Sequence, residues 1–184
     1  MLALAAALAL QIGINSMRPT PGAQATDLES PPPEWVLRLA ALGDPVPVAK
    51  VLMLGLQAFD LNAANRIPYQ ALNYDHLIAW LSRILSLDPG GQYPLHAASR
   101  IYADVPDETR QRKIMNFVFE EFFKDPDRRW PWLAQVTSTA KHHLKDMGLA
   151  RKYAAAIQQH ATGPNVPLWA KQMEIFILED MSEF

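Results

Sequence analysis

The chain of 184 residues contains no cysteine. That removes disulfides, thiolate nucleophiles, thiolate zinc sites and a lipoprotein-type acyl anchor in one step. Glycine is scarce, at eight residues, and the one Gly-Gly pair, Gly90-Gly91, follows a helix stop, so no phosphate-cradling loop is present. Strand signals are also missing: no useful run alternates apolar and polar residues, and no Asn-Gly or Asp-Gly pair marks a hairpin. Charge of one sign is lacking as well. Seventeen basic and nineteen acidic residues leave a formal charge of -2, which excludes the electrostatic footprint of a nucleic-acid binder. Arg128, Arg129, Lys141, Lys145, Arg151 and Lys152 make one quarter locally basic, and a solvated face is the expected reading.

The longest apolar run, Leu2 to Leu10, has nine residues of the Ala and Leu type. A spanning helix needs about 20, so the run suits the apolar region of an export signal or a short anchor. Ala23 and Ala25 in "PGAQA" offer a small-x-small cleavage pattern, although no basic residue precedes the apolar run. Residues 1–25 are therefore expected to be an export signal or membrane anchor. Residues 26–45, with "TDLESPPP" at their head, are expected to form a proline-rich linker and lead-in, extended enough to space the folded part from a membrane.

What is abundant is proline, at fifteen residues, and it is periodic. Aligning "VPVAKVLML", "YPLHAASRI", "WPWLAQVTS" and "VPLWAKQME" places Pro47, Pro94, Pro131 and Pro167 at intervals of 47, 37 and 36 residues. A second set, Pro89, Pro126 and Pro164, keeps the same rhythm after "LD", "KD" and "TG". Proline in a first turn costs no helical hydrogen bond, whereas proline after a helix forbids its continuation. The first set predicts helix starts and the second predicts stops. Within units, Asp104 is expected to cap the helix after Pro106, and Gly148 to mark the other turn. Three-and-four spacing of Tyr74, Leu77, Ile78, Leu81, Ile84 and Leu85 predicts one buried helix face. The helix "RKIMNFVFEEFF" is apolar on more than one side and should be packed on both.

This pattern resembles the tetratricopeptide repeat, a helix-turn-helix unit of about 34 residues. The large first position matches Tyr93, Trp130 and Val166, and the small position four residues on matches Ala97, Ala134 and Ala170. Ala150, Ala154 and Ile157 carry the second helix of the third unit before its closing Pro164. The units run slightly longer than the family's, Asp146 stands where an alanine is usual, and the first unit carries an insert around "NAANRIPYQA". The resemblance implies an all-α fold over residues 46–184, built of about three stacked helix-turn-helix units plus a terminal helix. It also implies protein or peptide binding as the use of the array.

Residues expected to pack at the seams between units are Tyr93, Pro94, Ala97, Trp130, Pro131, Trp132, Ala134, Pro167, Trp169 and Ala170. Arg128 and Arg129 are expected in the exposed turn between units, and with Arg100, Lys141 and Lys145 they form a candidate partner surface. No catalytic, cofactor or metal residue is assigned. The five histidines give no pair four apart on a helix, and His142 and His143 point about 100° apart. The expected function is a non-catalytic scaffold of the cell envelope that binds a protein or peptide and meets the membrane through its N-terminal segment alone. One alternative is a small-molecule or enzyme-associated subunit with a pocket of Trp130, Trp132, His96 and Arg100. Another is a structural subunit exposing the apolar faces of "RKIMNFVFEEFF".

Overall fold

In the computed structural model, which describes residues 27–61 and 69–182 together with Leu10, Gln11, Gly13 and Ser16, every regular element among the described residues is helical. The export or anchor reading of residues 1–25 falls outside the described residues apart from those four, as do most of the insert in the first unit and Glu183. Helices α1 (Glu34–Ala40) and α2 (Pro45–Leu61) lead through a 3-10 turn (Tyr69–Ala71) to α3 (Tyr74–Leu87). Helix α4 (Tyr93–Ala97) runs on into a π turn (Ala98–Tyr102), and α5 (Glu108–Phe122), α6 (Pro126–His142) and α7 (Met147–His160) follow. The short α8 (Leu168–Lys171) and α9 (Met173–Ser182) close the described chain.

Side-chain caps set three of the starts. The Asn73 carboxamide oxygen accepts from the Asp75 and His76 amides at 2.9 and 3.4 Å, Asp107 accepts from Arg110 N at 2.9 Å, and Asp146 from Leu149 N at 2.9 Å. Each satisfies a donor that the first helical turn leaves without a partner. Asp107 therefore holds the place expected of Asp104, because the backbone turns helical only at Glu108. Gly148 likewise lies inside the first turn of α7, with the break just ahead of it.

The prolines correct the sequence reading in one place. Pro94 opens α4 and Pro167 immediately precedes α8, but Pro131 lies inside α6, which starts five residues earlier at Pro126. The Asp125-Pro126 stop of α5 is at the same time the start of α6. Pro131 has no N–H to give the Asp127 carbonyl, and the helix continues through it because the next turns are held by tertiary contacts. Arg128 and Arg129 are consequently helical and not in a turn.

On α3, Tyr74, Leu77, Leu81, Ile84, Leu85 and Leu87 are buried and Ile78 is packed against them. Helix α3 packs against α2 and α5, and α5 in turn against α6 and the π turn. Ile114, Met115, Phe117, Val118, Phe119 and Phe122 of α5 are buried within the chain, with Phe119 stacked 5.1 Å from the Tyr153 ring of α7. The wide apolar patch expected of a structural subunit is thus absent from α5, where Phe123 alone of these aromatics stands exposed. Burial pushes the Tyr153 hydroxyl up to about 12.

The proline-rich lead-in is a strap and not a spacer. Leu28 is buried, the Nδ1–H of His76 donates to the Leu28 carbonyl, and Trp80 Nε1 donates to the Glu29 carbonyl at 2.7 Å. Asp27 accepts from Asn73 N at 3.2 Å, and Arg83 pairs with Glu34 at 3.4 Å, so residues 27–34 run along α3 in its own direction.

Two outcomes follow from this arrangement. Leu28→Ala is expected to lower the unfolding free energy by about 2 kcal/mol or more, the cost of emptying a buried leucine site, with Ser30→Ala near neutral; denaturant titration of both variants checks the contrast. The Leu149 amide, then Arg112, holds the Asp146 carboxyl below the usual carboxylate range. Its contribution is complete above the unfolded value of about 3.9 and is lost as pH falls through the lower folded value. Asp146→Ala should therefore cost about 1 kcal/mol at neutral pH, and the deficit should shrink only in strong acid, as read from melts across pH.

Candidate functional site

The stretch Asp125 to Trp132 reaches in both directions along the chain. Arg129 Nη1 donates to the Glu121 carboxylate at 2.7 Å and to the Glu121 carbonyl at 2.6 Å, and Nη2 donates to the Pro89 carbonyl at 3.1 Å. Both partners of this ion pair are inside the protein, with side chains 2% and 5% exposed. Trp132 Nε1 donates to Gln92 Oε1 at 2.8 Å. These bonds tie the start of α6 to the loop after α3. Asp127, on the same turn, accepts from Gly163 N at 2.8 Å, and the Trp130 ring meets Trp169 edge-on at 5.3 Å, which ties it to the loop after α7 and to α8. A Cβ on Gly163 would stand 2.7 Å from the Asp127 carboxylate, so a larger residue there would have to displace the side chain that accepts from its amide.

Arg129 therefore leaves the candidate partner surface, because its guanidinium is one of the most buried charges in the chain. Arg128 is exposed and pairs with Asp125, Lys141 is half-buried and pairs with Asp180 of α9, and Arg100 and Lys145 are exposed. Arg151 pairs with Glu174 and Lys152 lies over the Phe119 ring at 4.4 Å. The basic quarter is largely engaged within the protein. Among the seam residues, Pro94, Ala97, Ala134 and Ala170 are buried, Trp130, Pro131, Trp132 and Pro167 half-buried, and Tyr93 and Trp169 exposed.

Tyr93 belongs to a different feature. An open groove of about 490 Å³ runs between α2 and α4. Met53, Leu54, Ile84 and Pro94 give it apolar walls, and Lys50, Gln57, Asp88, Gln92 and Tyr93 add polar atoms. Gln57 Nε2 donates to the Tyr93 hydroxyl and so joins the two helices. Behind it, His96 lies 5.5 Å from the Tyr93 ring and 5.3 Å from Trp132, with Nδ1 buried and without a hydrogen-bond partner. Trp130, Trp132, His96 and Arg100, expected together as pocket residues, do not line this groove.

No protein family, curated protein or solved structure matches this chain.

The chemistry must then be read from the groove itself. Its polar groups are amides, a phenol and single charges set among apolar walls, with no nucleophile held against a base. Among the described residues no group of three or more His, Asp or Glu side chains could hold a metal ion. The groove residues Met53, Leu54 and Gln57 carry one sequence signal. Helix α2 reads apolar on every side, with Lys50 the single charge between Pro45 and Phe59, so its outward stripe faces either a partner or water.

Removing one member of a buried ion pair strands the other, at a cost of about 3–5 kcal/mol. Arg129→Ala is expected to lose that much. Arg129→Lys should recover only part of it, since an ammonium cannot present the planar fork that meets Glu121 and Pro89 together. Chemical denaturation of the two variants tests the order.

Proposed function

We propose that the chain is a non-catalytic interaction module of the cell envelope, stacked in the manner of tetratricopeptide repeats, which takes an apolar segment of a protein partner into the groove between α2 and α4. The observation that carries this reading is the groove: apolar walls, polar atoms at isolated points and an opening to solvent. The stacking is supported by the contacts of α6. Asp127 to Gly163, Arg129 to Pro89, Trp132 to Gln92 and Trp130 to Trp169 all join residues about one unit apart in sequence. Export, with the N-terminal segment as signal or anchor, is part of the same proposal and rests on the Leu2–Leu10 run and the "PGAQA" site. A small ligand in the groove is the alternative, since sites for such ligands span roughly 300–1,000 Å³.

A photo-crosslinking amino acid placed at Leu54 or Tyr93 in the living cell is expected to trap one defined protein, and the same group at Lys145 to trap none. Leu54→Arg, at an exposed groove position, should reduce the adduct formed from Tyr93 by at least about tenfold, as charging the centre of an apolar contact does. Absence of any adduct, together with turnover of a small substrate by the purified chain, would remove the proposal.

A further inference from the structure

The first helical hairpin carries large apolar side chains in water. Trp35 and Leu39, one turn apart on α1, are 69% and 70% exposed, Leu42 in the following turn 93%, and Val51 on α2 65%. None of these four lines the groove between α2 and α4. Leu42 sits at φ 50°, followed by Gly43 at φ 104°. The left-handed region disfavours a residue with a branched apolar side chain, and asparagine or glycine would make the same turn without strain. Leucine there leaves an isobutyl group almost fully in water at the turn between the two helices. The outward stripe of α2 continues this surface through Pro47, Val51, Leu54, Gly55 and Ala58, all exposed at helical spacing with Lys50 as the one charge among them.

Three observations name what covers it. Residues 34–58 carry Glu34 and Asp44 against Arg38 and Lys50, a balance that offers no net charge for a charged protein surface to complement. The two helices together are apolar enough for a membrane span, yet they bend by 116° between them, and among the described residues no single helix is long and apolar enough to cross. A pair bent that far has the geometry to lie in the plane of a bilayer interface, with an exposed tryptophan as a typical anchor. Finally, the chain ahead of the described domain contains the nine-residue apolar run Leu2–Leu10, and the strap it leads into passes directly into α1. A bilayer that holds this run keeps the domain within the reach of the sixteen residues between Leu10 and Asp27.

We propose that the α1–α2 hairpin is a membrane seat: Trp35, Leu39, Leu42 and Val51 insert into the boundary between headgroups and acyl chains, and the domain lies on the bilayer beside its N-terminal segment. Insertion is apolar, so it is insensitive to headgroup charge and to salt. Trp35, Leu39, Leu42 and Val51 lie outside the groove, while Lys50 and Leu54 of the same stripe line it, so the seat borders the groove without depending on a partner there.

The chain has no cysteine, so one introduced cysteine can be labelled alone. Full-length Leu39→Cys and Leu42→Cys chains carrying an environment-sensitive fluorophore are mixed with vesicles of phosphatidylcholine or of phosphatidylglycerol, with and without nitroxide on the lipid chains. The expected result is a blue shift and nitroxide quenching at both positions, equal in the two lipids and in high salt. A label at Ser138→Cys, exposed on α6, should report water throughout. Leu39→Asp with Leu42→Asp should abolish the shift at a Val51→Cys label while leaving the melting temperature unchanged. A vesicle-bound chain whose labels at 39 and 42 stay aqueous would overturn the proposal, since the N-terminal segment alone would then hold the membrane. Labels that become dry without lipid would overturn it too, assigning the face to a second copy if raised chain concentration suffices and to another protein if a membrane-free extract is needed.

Discussion

The guanidinium of Arg129 is the constraint on which the middle of the molecule depends. A charge this deeply buried needs a counter-charge and acceptors, and here those of its two Nη atoms come from two other parts of the chain: Glu121 at the end of α5 and the Pro89 carbonyl in the loop after α3. The Glu121 carbonyl also accepts from Lys124 N at 3.2 Å, so Arg129 adds a second donor there, while its Nε stays buried without a hydrogen-bond partner. The Nη bonds fix where α6 can begin. Once it begins there, Asp127 meets the Gly163 amide and Trp132 meets Gln92 without further adjustment. Arginine is suited to this place because its planar fork reaches several acceptors at once.

The helices and their faces were legible because they depend on short-range rules. Apolar spacing marked α3 and α5, and proline marked most of the boundaries. Pro131 misled because "WPWLAQ" has the same wording as "YPLHAA": a proline after a ring, then an apolar run. Both have a second proline five residues earlier; Pro89 is followed by Gly90-Gly91 in a non-helical turn, whereas Pro126 is followed by helical residues, takes the first-turn position and leaves Pro131 inside the helix. The burial of Arg129 was invisible for a different reason. Its carboxylate partner lies eight residues upstream, across a helix stop, a spacing that belongs to a helical hairpin and not to the three-or-four rule of one helix.

The strap and the groove were hidden by distance. "TDLESPPP" has the composition of a solvated spacer, and only His76 and Trp80, some fifty residues on, turn two of its carbonyls into bonded groups. The groove is a place where α2 and α4 do not close on one another, and a local pattern describes the contacts a helix can make, not those it leaves unmade. The apolar circumference of α2 announced that something should cover its outer side, and the hairpin with Leu42 at its tip is the part of the surface where that demand is concentrated.

The strap gives the domain a mechanical polarity. Asp27, Leu28, Glu29 and Glu34 are held at successive points along α3, from Asn73 through His76 and Trp80 to Arg83. A pull on the residues before Asp27 along the strap's own axis loads these attachments together, in shear, and passes the load into the most buried face of the molecule. A pull across the axis meets them one at a time, beginning with Asp27, and peels the strap away. The direction of a force applied ahead of Asp27 therefore decides how much the strap bears before α1 comes loose.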